Sequence, residues 1–215
     1  MRLPLFPLAV VLLPGTPMPL HIFEPRYRQM IADVLAGPRE FGLAYLPPGV
    51  PEQGLAAGWP LCIAHIDEHE ALPDGRSNIV VRGTRRVAFE RFEDDTAPYR
   101  VARVAELPDA SALPDALAPR AAQARQLFAR VAAAARTLAD DPTPAPALPD
   151  DPALLAYAIA AAVDLDLDVR HRLLATRDPA ERLAQVLGLL TPVATDIERR
   201  AAVHARAHTN GHGPH

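Results

Sequence analysis

His65, Asp67 and His69 alternate along the run His65-Ile66-Asp67-Glu68-His69-Glu70, so on an extended strand all three project to one face as zinc-competent ligands. Cys62, Ala64 and Ile66 occupy the other face, and the simpler expectation is the solvated side of an amphipathic strand. Four further histidines, His204, His208, His212 and His215, lie near the C-terminus, a composition that collects metal adventitiously. Nucleophiles are scarce. Ser77 and Ser111 are the only serines, and neither sits in a Gly-x-Ser-x-Gly elbow. The single cysteine, Cys62, lies in the apolar run Leu61-Cys62-Ile63-Ala64, where a buried and inert thiol is expected. All 22 basic residues are Arg. Without a lysine there is no Walker A phosphate loop, no Schiff-base chemistry and no Ser-Lys dyad. Carboxylates are plentiful, but no spacing marks out a hydrolytic pair. The sequence therefore predicts no catalytic residue, no cofactor and no metal centre.

Binding is the remaining chemistry. Trp59-Pro60 closes the proline- and glycine-rich loop from Pro47 to Gly58, and large apolar residues in a loop mark either a contact surface or a lid on a core. Arg26 and Tyr27, in Glu24-Pro25-Arg26-Tyr27-Arg28, are favoured interface types, although a helix start also accounts for them. Trp59, Pro60, Arg26 and Tyr27 are thus the candidate partner-binding residues.

Charge narrows the partner. The chain carries 26 acidic residues for a net charge of -4, and Met1 to Leu107 alone holds 11 Arg against 13 acidic residues. No overall field favours a nucleic acid, and only a local patch of Arg82, Arg85, Arg86 and Arg91 would serve one. Met1-Arg2 and the apolar stretch Leu3 to Leu13 imitate a secretory signal, but Pro4, Pro7 and Pro14 deny it a helix. No apolar run reaches the ~18 to 20 residues of a membrane span. A cytoplasmic protein without membrane contact is expected, and the lone cysteine fits a reducing compartment.

The elements that must position these residues fall into two kinds. With 49% hydrophobic residues in 215, the chain can build one large core or two small ones. Up to Leu107 apolar runs alternate with Pro, Gly and Asp turns, predicting strands at Leu3–Leu8, Val10–Leu13, Phe41–Leu46, Leu61–Ile66, Asn78–Phe92 (broken near Gly83) and Tyr99–Val104. Pro14 to Pro17 reads as a turn, and one helix opens at Glu24-Pro25 and stops before Gly37-Pro38. From Asp115 the chain is helical: Asp115–Leu138 with Pro119 in its first turn, a connector at Asp140–Pro149, then helices from Asp151-Pro152, from near Asp168 and from Asp178-Pro179. The expected division is a β-rich domain over 1–108, a helical subdomain over 115–206 and a disordered tail over 207–215.

The segments Leu3-Pro4-Leu5-Phe6-Pro7-Leu8, Val11-Leu12-Leu13-Pro14-Gly15 and Pro19-Leu20-His21-Ile22-Phe23-Glu24-Pro25-Arg26-Tyr27-Arg28-Gln29-Met30 follow one another in a pattern that resembles the N-terminal domain of the Lon ATP-dependent proteases. Cys62 to Ile66, Leu72 to Arg76 and Gly83-Thr84-Arg85-Arg86 continue it in order, and Arg172-Leu173-Leu174 and Asp178 to Leu183 extend it more weakly into the helices. The resemblance implies an α+β fold, a PUA-like β pseudo-barrel followed by a C-terminal helical bundle, and a non-catalytic module that recognises unfolded or flexible protein segments. Leu61 stands where the family often has Gly, and Val87-Ala88-Phe89 where Phe-Arg-Ile is usual. The ATPase and Ser-Lys peptidase of the full protease have no counterpart here, so the chain resembles a stand-alone Lon N-terminal domain protein. Two other readings compete: an RNA binder, because PUA-like folds also serve RNA, and a small-molecule enzyme using the mouth of the barrel.

Overall fold

The computed structural model describes residues 1–110 and 114–210, with the side chains of 114, 115 and 207–210 left aside. The fold is α+β, with six strands and five α-helices among the described residues. Its contacts group into two units, residues 1–110 with 164–177 and residues 111–163 with 178–215.

The first unit carries β1 (Arg2–Leu8), β2 (Pro17–Ile22), α1 (Pro25–Leu35), β3 (Glu40–Tyr45), β4 (Pro60–Ala71), β5 (Ser77–Glu93) and β6 (Val101–Glu106). The mixed sheet runs β2-β5-β4-β3-β1-β6, and β5 also pairs with β6, so five strands close into a ring with β2 outside it. Among the described strands only β1 and β3 pair in parallel, and an isolated parallel bridge joins Pro14 to Gly83. Alternation sends Leu3 and Leu5 of β1, Leu61 and Ile63 of β4, Val87 and Phe89 of β5 and Ala102 and Val104 of β6 into one buried cluster. Amphipathic α1 buries Tyr27, Met30, Ile31 and Val34, with proline in its first turn as expected.

Two expectations are corrected here. Val10–Leu13 is not a strand: Val11, Leu12 and Leu13 are buried in irregular chain. That segment packs on Gly83, where a Cβ would stand 2.2 Å from the Leu13 oxygen, and Gly83 N–H donates to Thr16 O at 3.0 Å. The glycine therefore admits a crossing chain; β5 passes through it as one strand, and the expected irregularity is a register shift against β4 between Gly83 and Arg86. Conversely, Pro17 to Ile22 forms β2 although Pro17 and Pro19 lie in it, because an edge strand tolerates residues without an N–H.

In the second unit α2 (Pro114–Ala139), α3 (Pro152–Ala162) and α5 (Pro179–Asn210) pack through Ala124, Phe128, Leu155, Ile159, Leu183, Val186 and Leu190. Asp151 and Asp178, each followed by proline, accept hydrogen bonds from Ala153 N and Ala180 N at 2.8 Å, the capping expected of the two Asp-Pro starts. Arg182 is fully buried, its guanidinium 4.5 Å from the Tyr157 ring centre and donating to Ala153 O at 2.9 Å. Helix α2 starts before Asp115, which puts Pro119 inside the helix and not in its first turn. Helix α5 continues to Asn210, past the expected onset of disorder at 207; the rest of that tail lies outside the described residues.

The division into 1–108 and 115–206 also needs amendment, because α4 (Leu167–Ala175) belongs to the first unit. Leu173 and Leu174 are buried, and the buried Arg86 of β5 donates to the carbonyls of Leu174 (2.8 Å) and Thr176 (2.7 Å) and to Asp109. A guanidinium thereby satisfies carbonyls that the end of a helix leaves open. The return of α4 is thus fixed by chemistry on β5 as well as by its own apolar face.

Candidate binding surface

The four residues singled out in the sequence lie in two places, both largely occupied by the protein itself. Trp59 is half-buried against the sheet cluster, and Pro60 is buried at the start of β4. The indole N–H donates to Tyr45 O at 3.1 Å, and its ring lies 4.9 Å from the imidazole of His171 on α4. Tyr45 is 5.2 Å from the same imidazole, and its hydroxyl donates to Asp168 at 3.0 Å. Burial first, and then the Asp168 bond, raise the phenol's pKa. Burial lowers that of His171, opposed by the Pro60 carbonyl and by Asp168, and His171 Nε2 has no hydrogen-bond partner among the described residues. Trp59 is here the lid of the core, with α4 laid over it.

Arg26 and Tyr27 serve the helix start. Arg26 pairs with Glu52 (2.8 Å) and Glu24 (3.1 Å). The Tyr27 ring stacks 4.1 Å from Phe6, and its hydroxyl donates to Glu52 at 3.4 Å. With 3% exposure Tyr27 is a core residue, and its phenol is pushed up chiefly by burial. The trio His65, Asp67 and His69 does not converge either. A bulge between Ile66 and Glu68 sets His65 opposite Arg82 but His69 opposite Ile79, so the two histidines fall on opposite faces, and Asp67 is held by Arg82 at 2.9 Å. Cys62 is fully buried, which pushes its thiol up and makes it inert.

A different surface is open. Across β2, β5 and β4 the register aligns Pro19, Val80 and Glu68 in one row and His21, Asn78 and Glu70 in the next, all on the outward face. They belong to the lining of a groove of about 480 Å³. Its second row is a hydrogen-bonded ladder: Asn78 Nδ2 donates to Glu70 at 2.9 Å, so Asn78 Oδ1 accepts from His21 Nδ1–H at 2.8 Å. Phe23 continues the Pro19, His21 parity one step past the strand and stacks on His21, with ring centres 6.1 Å apart. It is 59% exposed, the only exposed Phe, Tyr or Trp among the described residues.

Sequence reasoning missed Phe23, though a signal existed. It precedes the N-cap Glu24, where an apolar residue ordinarily packs on one at the fourth helical position; that position is Arg28. An aromatic residue without its staple partner was therefore readable as solvent-facing.

The chain belongs to the family of substrate-binding domains of the ATP-dependent protease La (Lon), which matches residues 2–192. It is 30% identical over 190 residues to the Lon protease of Roseiflexus castenholzii, a match covering 87% of this chain and 24% of that protein. Among solved structures it is similar to a Lon N-terminal domain protein from Xanthomonas campestris, with 27% identity, a TM-score of 0.61, and 87% of this chain and 98% of that chain covered. Its fold also matches the N-terminal domain of a Mycobacterium avium complex Lon protease, at 23% identity and a TM-score of 0.65 over 91% of this chain and 99% of that one. No helix among the described residues is long and apolar enough to cross a membrane.

Proposed function

We propose that this chain holds extended apolar segments of unfolded or flexible proteins on the outward face of β2, β5 and β4, without ATP and without chemistry of its own. Membership of a substrate-binding family supports recognition of protein substrates; the observation that carries this particular surface is the exposed Phe23 aligned with the groove. A solvent-exposed aromatic residue beside the apolar Pro19 and Val80 is what a disordered partner needs, because it supplies contact area at small entropic cost. The segment lies across the face and does not extend the sheet, since Pro17 and Pro19 strip donors from the free edge of β2. Trp59 serves the core cluster and the seating of α4. Ordering a flexible partner limits affinity to a Kd of about 10–100 μM, roughly 5–7 kcal/mol.

Titrating labelled peptides from a denatured protein into the full chain tests this reading. Phe23→Ala weakens binding by about 1–2 kcal/mol and leaves the melting curve in place, whereas Trp59→Ala chiefly destabilises. Absence of saturable binding below about 1 mM refutes peptide recognition. Binding indifferent to Phe23 but lost on changing Trp59 in a folded variant returns the site to the Trp59 corner.

A further inference from the structure

The groove has a chemical asymmetry that apolar contact does not explain. Along the β4 side stand Glu68 and Glu70, two exposed carboxylates on one face, and among the described residues neither is paired with an Arg. Many other carboxylates of this unit are matched, Glu40 with Arg85, Glu52 with Arg26, Asp67 with Arg82, Asp74 with Arg76, Glu93 with Arg103 and Asp109 with Arg86, while Asp33 and Asp168 take neutral donors; Glu68 and Glu70 differ in standing side by side on one face of the groove. The cations next to the wall are engaged elsewhere, Arg82 by Asp67 at 2.9 Å and Arg76 by Asp74 at 2.6 Å. Glu70 takes only the neutral amide of Asn78.

Opposite, two strands away, runs the stripe of Pro19, His21 and Phe23, with Val80 between as floor. Neighbouring strands lie ~4.8 Å apart, so the carboxylates and the stripe are separated by about 10 Å, the width of one extended chain with its side chains. A segment lying along β5 would press one side against Phe23 and Pro19 and turn the other to Glu68 and Glu70.

Resting on the reading that the groove binds peptides, we infer that its preferred occupant is an extended protein segment in which apolar residues alternate with Arg or Lys. The apolar side chains pack on Phe23, Pro19 and Val80, and the cationic ones meet Glu68 and Glu70. An acidic segment is rejected by the same wall, and so is a nucleic acid, whose phosphates meet two uncompensated carboxylates.

Three labelled decapeptides with identical apolar residues and with Arg, Gln or Glu at the same alternate positions separate the possibilities by fluorescence anisotropy against the full chain. At low ionic strength the Arg peptide binds about five-fold tighter than the Gln peptide and the Glu peptide weakest, and the order collapses in about 0.5 M salt. In the double variant Glu68→Gln, Glu70→Gln the Arg and Gln peptides bind alike, with the Gln peptide's Kd unchanged; Phe23→Ala weakens all three. Equal affinities for the three peptides in the unaltered protein overturn the charge preference and leave apolar recognition standing. A preference that persists in the double variant assigns the cations to another surface and overturns it as well. Failure of all three to bind sinks peptide recognition itself, and the preference with it.

Discussion

Arg86 is the side chain on which the attachment of α4 turns, and replacing it by Ala gives the most demanding test of the fold. The change removes a buried charged donor from two carbonyls, those of Leu174 and Thr176, and from the Asp109 carboxylate. Hydrogen bonds to a charged group contribute about 1.5–3 kcal/mol each, but α4 can recover part of the loss by lifting into water, which limits the cost to about 3–5 kcal/mol. Against a domain stability of about 5–15 kcal/mol this is a large fraction. With a urea dependence of about 1–3 kcal/mol per molar, the midpoint falls by roughly 1–5 M. The protein carries its own probe, because its single tryptophan, Trp59, lies against His171 of α4. Lifting of α4 exposes the indole, so the emission of the folded variant shifts to the red before the main transition. Arg86→Lys, which keeps a charge but loses the fork, lies between the two. A midpoint within about 0.3 M of the unaltered protein, together with unchanged Trp59 emission, refutes the argument that this guanidinium ties α4 to the sheet.

Other perturbations separate the roles of neighbouring groups. His171 is held below its ordinary 6.5 by burial, so the unfolded chain takes up the proton first; its contribution is present above that range and is lost as pH falls from about 6.5 toward the folded pKa. Urea midpoints at mildly acidic and neutral pH show this slope, and His171→Leu flattens it. Gly83→Ala forces a Cβ onto the Leu13 carbonyl and costs about 1–3 kcal/mol, read as a lowered melting temperature. Tyr27→Phe keeps the ring on Phe6 and loses only a long hydroxyl contact to Glu52, so it costs under about 1 kcal/mol, whereas Tyr27→Ala costs about 3–5; equal and small effects would make Tyr27 a surface residue after all.

What the sequence made legible were features with local causes. The Asp-Pro starts of α3 and α5, the proline start of α1 and the apolar periods of β3 and β4 each follow from the residues that form them. The misreadings share a different cause. The strand β2 goes unassigned, because its prolines at 17 and 19 fit pairing only at the edge position that the sheet gives it. Gly83 reads as a break because the chain that crosses it comes from Leu13 to Thr16, far away in sequence. The helical period of α4 announces a helix but not its host, which is set by Arg86 in β5. At the site, the proline loop leaves Trp59 open to two roles, contact or lid, and the helix that lies against its indole comes more than a hundred residues later. Phe23, beside a helix N-cap, carried the quieter signal of an absent staple partner.

The return of α4 to the sheet has a consequence for the order in which the molecule can be made. Residues 164–177 complete the unit begun by residues 1–110, but α2 and α3 intervene, so on the ribosome the sheet emerges long before the helix that covers Trp59. Until Ala175 and Thr176 leave the exit tunnel, the nascent chain carries an uncovered indole and a buried-site arginine awaiting its carbonyls. Closing that long excursion costs little extra entropy, since the penalty grows only with the logarithm of loop length. The delay is therefore one of time and not of free energy, and a chain stalled within α3 would expose its core at Trp59 to whatever apolar surface it met first.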